Sequence, residues 1–222
     1  MRKTPFVENE YYHLYNRGVD KREIFSDQYD MERFFQSMEE FNIIEPIGSI
    51  YENSFVKEKE IKLGSPTSKL VEFVCYCLNP NHYHFFVKQI AENGIEKFMH
   101  RLGTGYTKYF NNKTKRTGSL FQGRFKSVHV DSNEYLLHLS AYINLNNRVH
   151  GLDKLGSPTS KSKSSWEEYV SRKNFGAKFC DSDIILGQFD DRKEYEKFAL
   201  EALENILEKK ELDKELSELL LE

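Results

Sequence analysis

The stretch from Val74 to Val87, Val-Cys-Tyr-Cys-Leu-Asn-Pro-Asn-His-Tyr-His-Phe-Phe-Val, reads as two apolar strands joined at Asn79, Pro80 and Asn81. His82 and His84 stand just past that turn. Side chains on a strand alternate faces, so the two imidazoles project from one side with Cβ atoms roughly 7 Å apart. That spacing suits two ligands of one metal ion, and equally a pair of core or hairpin-tip histidines. The choice falls to the rest of the chain.

With 222 residues there is room for one αβ domain with a substantial core and an appendage. No apolar run approaches the ~18 residues of a membrane span, and Met1-Arg2-Lys3 has no apolar segment behind it to make a signal peptide. Three cysteines, none in a CxxC pair, point to reduced thiols in a cytoplasmic protein. The net charge of −3 is unevenly spread: from Asp190 to Glu222 there are 12 Asp+Glu against 6 Lys+Arg, so the remainder carries +3. Phe98 to Val130 holds seven Lys or Arg and no acid. The acidic tail hides a local basic region.

Taken in order, Tyr11 to Arg17 alternates and is aromatic, as an opening strand should be. Ser26 or Asp27 can cap a helix through Met31, Phe34, Phe35, Met38 and Phe41, stopped by Pro46. Residues 70 to 88 form a hairpin. Gly94 to about Asn111 forms a second helix, with a break possible at Gly103 and Gly105 because each glycine costs up to ~1 kcal/mol relative to Ala. Phe125 to Val130 is a fourth strand. The order βαββαβ is the ferredoxin-like split arrangement, an α+β fold in which one antiparallel sheet is backed by two helices. Asp131, Ser132 or Asn133 then caps a helix to about Asn147, an irregular segment contains Trp166, and Glu194 to Leu221 is a charged amphipathic helix.

On the helix after the fourth strand, Tyr142 and Asn146 share a face at i and i+4. The amide oxygen is a hard metal ligand and the phenol a potential nucleophile, although a buried tyrosine near a polar helix end would read the same way. His138, one turn earlier, is a substitute ligand. Between Arg101 and His129, Lys108, Lys113, Lys115, Arg116, Arg124 and Lys126 interleave with Tyr106, Tyr109, Phe110, Phe121 and Phe125. Cations that track phosphates beside aromatic faces that stack on bases are what single-stranded nucleic acid requires; the other reading is a solvated basic loop beside core aromatics. Arg17, Lys21 and Arg22 add charge near the first turn.

The chain resembles the single-tyrosine HUH transposases, in the branch associated with repetitive extragenic palindromes (REP). The matching stretches are Tyr12 to Phe25, Leu78 to His84, Thr117 to Lys126, Tyr142 to Asn146, and Ser164 to Tyr169. The resemblance implies a catalytic domain over residues 1–151 with an insertion at about 52–69, a polar and irregular segment 152–189 packing on it, and a helical appendage 190–222. It implies a metal-dependent nuclease and strand transferase acting on single-stranded DNA hairpins, as a monomer or homodimer. His82, His84 and Asn146 would bind Mg²⁺ or Mn²⁺, and Tyr142 would attack the scissile phosphate and keep the 5′ end. The branch usually has proline after the ligand asparagine, where Asn147 stands here, so the tyrosine helix is expected to end less sharply. A non-catalytic nucleic-acid-binding module and a replication or conjugation initiator are the other readings.

Structural zinc at Cys75, Cys77, His82 and His84 is the competing metal site. A three-residue loop at 79–81 would pair Leu78 with His82 and Tyr76 with His84, placing the cysteines on the face opposite the histidines and preventing tetrahedral closure. Finally, Lys-Leu-Gly-Ser-Pro-Thr-Ser-Lys occurs at 62–69 and again at 154–161. Both copies read as surface insertions, either translated copies of a short genomic palindrome or a recurring loop motif.

Overall fold

In the first strand, alternation sends Tyr12 and Leu14 to one side and Tyr11, His13 and Tyr15 to the other. In the hairpin it separates Tyr83 and Phe85 from His82, His84 and Phe86. Each strand therefore has two faces to bury. The computed structural model describes residues 5–45, 47–50, 68–152, 162–171 and 178–219. Its strands are β1 (Tyr11–Arg17), β2 (Val71–Asn79), β3 (His82–Gln89), β4 (Lys126–Val130) and β5 (Lys163–Ser164). They form one antiparallel sheet in the order β4-β1-β3-β2-β5. The first four follow the expected ferredoxin-like split order.

Helices α1 (Gln28–Glu40) and α2 (Gly94–Thr114) cover one face. Phe34, Met38, Phe98, Leu102 and Tyr106 pack there on Leu14, Phe73, Tyr83 and Phe85. Asp27 caps α1, its carboxylate accepting from the Asp30 amide at 2.9 Å. Helix α2 runs without a break through Gly103 and Gly105. At Gly105 the reason is packing, since an added Cβ would lie 2.7 Å from the Phe41 ring.

The opposite face is also covered, which two helices alone would not have done. Onto it pack α3 (Asn133–Asn144), the short α4 (Asn146–Val149), α5 (Trp166–Val170), α6 (Asp183–Leu186) and α7 (Arg192–Leu219). Leu139, Ile143, Trp166, Tyr169, Tyr195 and Ala199 bury Val74, Cys75, Cys77 and Phe86. The segment expected to be irregular instead supplies β5 and α5, and the first half of α7 is core rather than appendage. The first octapeptide through Thr67, and the whole second copy, lie outside the described residues. None of the described helices is long and apolar enough to cross a membrane.

A buried polar junction ties these elements together. The Asn144 amide donates to the Tyr195 hydroxyl at 2.9 Å, and its oxygen accepts from Ser165 Oγ at 2.6 Å. Ser165 Oγ accepts in turn from the Tyr76 amide at 2.9 Å. Tyr195→Phe would strand a buried donor on Asn144, for an expected loss of about 1–3 kcal/mol in urea denaturation. An unchanged midpoint would mean that α7 is not anchored through this junction.

Candidate active site

The β2–β3 hairpin closes in two residues, Pro80 and Asn81, so Asn79 pairs with His82, Leu78 with Tyr83 and Cys77 with His84. This corrects the three-residue loop. Period-two alternation then places the cysteines on the same face as the histidines. Zinc still does not follow. Cys75 lies opposite Phe86, buried in the apolar cluster, and burial pushes its thiol well above the ordinary range, against the thiolate that zinc needs. Among the described residues no group of three or more His, Cys, Asp or Glu side chains is arranged to hold a metal.

Two rungs across the sheet make the site. In one, Lys126, Tyr15, His84 and Cys77 are successive cross-strand partners; in the next, Arg17, His82 and Asn79 are. Gly18 continues from Arg17 into a turn that holds the hairpin tip. Its amide donates to the Asn81 carbonyl at 2.8 Å, and an added Cβ would lie 2.2 Å from the Arg22 carbonyl oxygen. Arg17, Lys21, Lys126, His82, His84 and His150 line a cavity of about 490 Å³.

Asn146 reaches the hairpin from above. Helix α3 ends at Asn144, Leu145 departs from helical geometry (φ −108°, ψ 12°), and α4 resumes at Asn146. The helical path therefore runs on past the position where the branch has proline. Asn79 Nδ2 donates to Asn146 Oδ1 at 2.7 Å, which turns that oxygen toward His82 Nε2, 3.1 Å away. His82 Nδ1 lies 2.6 Å from Asn81 Oδ1, an oxygen that can only accept, so the hydrogen is on Nδ1 and the lone pair on Nε2. Asn79 is held in turn by the Cys77 thiol, which donates to its oxygen at 3.6 Å.

The donors fit a hard divalent cation. Two neutral acceptors 3.1 Å apart span about the edge of an octahedral shell with ligands near ~2.1 Å. Burial holds the His82 and His84 pKa values low, so both imidazoles keep lone pairs at neutral pH. The Asn146 amide nitrogen is buried with no hydrogen-bond partner. Tyr142 lies on the same side, its ring 5.6 Å from that of His84. Burial raises its pKa.

Three residues of this site were not singled out from the sequence. His13 lies 2.9 Å from His84 through its Nε2, Asn79 orients Asn146, and His150 sets its ring 4.9 Å from that of His82. The alternation of β1 carried a signal for His13; Asn79 and His150 become visible only once the chain is folded. His138 does not reach the His82–His84 cavity; its ring packs tilted on Phe198, with centroids 5.3 Å apart. It lines a second cavity, of about 460 Å³, with His13, Tyr135, Tyr142 and Lys209. Tyr83 is buried in the core on the other face and offers no nucleophile.

The basic residues divide. Arg17 and Lys126 face the histidine cavity, with Arg17 bonded to Gln122. Lys108 and Arg124 line an adjoining groove of about 970 Å³ with Phe121 and Phe125, and Asn16 belongs to both spaces. Lys113 is a correction: its ammonium is 2.7 Å from Asp27 and 2.7 Å from fully buried Asp30, pinning α2 to α1. Arg116 is likewise engaged, donating to Asn111 at 2.6 Å and to the Ser119 carbonyl at 2.9 Å. Lys115 takes the left-handed conformation that ends α2 (φ 55°).

Residues 54–146 match the family model described as Transposase IS200 like. Among solved structures, the chain is similar to a REP-associated tyrosine transposase bound to a REP hairpin, with 14% identity, a TM-score of 0.50, and coverage of 82% of this chain and 93% of that one. That likeness is one of fold. A protein from Deinococcus radiodurans named provisionally as a transposase matches at 13% identity and a TM-score of 0.37, over 64% of this chain and 95% of that one. No curated protein matches the sequence significantly.

The four imidazoles make stability depend on pH. Burial lowers the pKa of His13 and His150 to about 4, and lowers those of His82 and His84, against 6.5 in the unfolded chain. The unfolded chain therefore binds more protons between pH 6.5 and about 4, and stability must fall as pH drops through that window. Melting temperatures measured from pH 7 to 4 should decline across it. A flat profile would show that these rings are not held neutral by the fold.

Proposed function

We propose, from the match of residues 54–146 to the IS200-like transposase family, that the chain is a metal-dependent single-stranded DNA transposase and endonuclease. It cleaves and rejoins hairpin-forming palindromic DNA through a 5′-phosphotyrosine. One observation carries the reading: Tyr142 from α3, Asn146 from α4, and His82 and His84 from β3 converge beside a cavity rimmed by Arg17, Lys21 and Lys126. The hairpin-bound transposase of similar fold supports the substrate class.

His82, His84 and Asn146 would hold Mg²⁺ or Mn²⁺, which when bound supplies a Lewis acid to a non-bridging oxygen of the scissile phosphate. Arg17, directly across the sheet from His82, and Lys126, beside Tyr15, bind the flanking phosphates. The Tyr142 oxygen attacks phosphorus as the bond to the 3′ oxygen breaks; the phenol gives up its proton and the departing 3′ oxygen gains one. Burial holds the Tyr142 pKa above its ordinary value, so the phenol enters the reaction protonated. The phosphotyrosine keeps the ester bond energy, so attack by a 3′ hydroxyl rejoins a strand. Lys108 and Arg124 track the backbone along the adjoining groove, where Phe121 and Phe125 offer faces to unpaired bases.

Incubation with Mn²⁺ and a library of single-stranded hairpins should yield protein covalently attached to DNA. Tyr142→Phe should abolish the adduct while leaving hairpin affinity within a few-fold. Wild-type levels of adduct in that variant would move the nucleophile to Tyr135, which shares the second cavity.

Neutralising Arg17, Lys108, Arg124 and Lys126 should weaken binding to all hairpins alike, flattening the salt dependence by roughly one counterion per lost contact. Loss confined to one hairpin sequence would mean that these side chains read bases instead.

A further inference from the structure

His82 and His84 hold their hydrogens by different means. The Nδ1 of His82 faces a carboxamide oxygen, which can only accept, so its tautomer is settled. The Nδ1 of His84 instead faces another imidazole, with His13 Nε2 at 2.9 Å and the rings stacked at 5.1 Å and 22°. Either nitrogen could carry the hydrogen between them. If His13 donates, the hydrogen of neutral His84 lies on Nε2, and that nitrogen cannot bind a cation. If His13 accepts, His84 carries Nδ1–H and its Nε2 presents a lone pair.

Resting on the metal site proposed above, we infer that His13 is the positioning residue of that site: its Nε2 accepts from His84 Nδ1–H and so fixes both the tautomer and the ring plane of the ligand. His13 is well placed to do this. It projects from β1 on the site face, diagonal to His84 through the β1–β3 register, and both rings are buried, at 7% and 8% exposure. Tyr15, directly opposite His84, stacks on the far part of the pair, with centroids 5.7 Å from His84 and 4.9 Å from His13. The His84 ring is therefore held by one hydrogen bond and two aromatic faces. Partners that orient a metal-binding imidazole are typically worth 10–100-fold in metal affinity.

Two measurements test this. Long-range ¹H–¹⁵N spectra of the full-length protein read histidine tautomers without mutation, and His84 should appear as Nδ1–H at neutral pH. Mn²⁺ titration followed by electron paramagnetic resonance should show His13→Leu weakening Mn²⁺ binding roughly 10–100-fold. His13→Gln, whose amide oxygen can accept in the place of Nε2, should bring binding back to within a few-fold of wild type. Melting temperatures of both variants separate this from loss of fold, which rescue by Gln would not follow. An Nε2–H tautomer on His84, or equal Mn²⁺ affinity in His13→Leu and wild type, would overturn the role of His13 alone. Failure of the wild-type protein to bind Mn²⁺ at all would overturn the metal site along with it.

Discussion

Everything at the site depends on the length of one turn. Because strand side chains repeat every two residues, a hairpin loop longer or shorter by one residue changes which faces are shared across the ladder. Two loop residues put Cys77 opposite His84 and Asn79 opposite His82. They also set Asn79 where it can reach Asn146, and turn Tyr83 and Phe85 into the core under α1 and α2. The turn is held from outside: the Pro80 carbonyl accepts from the Ile24 amide at 2.7 Å and from the Phe25 amide at 3.1 Å, beside the Gly18 bond to Asn81. The segment following β1 thus fixes the hairpin tip and brings Arg17 and Lys21 to the same place.

The electrostatics of the proposed metal site are unusual in one respect. The candidate donors are neutral, two imidazoles and an amide, and the surrounding charges are Arg17, Lys21 and Lys126. No carboxylate among the cavity-lining residues neutralises a divalent ion. Such a site lacks the negative charge that makes a cation bind tightly alone, and a phosphodiester would supply it. Under the proposed function, cation and DNA would each strengthen binding of the other, which by linkage is reciprocal. The same absence of carboxylates leaves the cationic rim free for phosphates. Lys113 shows the contrast, since two aspartates already hold it.

Much of this was legible in the sequence. Two strong periodicities, alternation in β1 and the hairpin and the three-four spacing of α1, α2 and α3, mark the elements and their order, and that order leaves few topologies for one antiparallel sheet. The spacing of His82 and His84 on one strand is local geometry, and the fold keeps it; Tyr142 and Asn146 instead end on two successive helices, α3 and α4, separated at Leu145. What required the folded chain was everything that depends on contacts distant in sequence. The hairpin register turned on a single loop residue; Lys113 became structural through Asp27 and Asp30; α5 and α7 covered the second face, where residue pattern alone suggested an irregular stretch and an appendage. Asn79, His13 and His150 likewise gain their places only when β1, the hairpin and α4 meet. A side chain's own periodicity fixes the face it occupies, whereas its partner is chosen by packing between segments that the sequence keeps far apart.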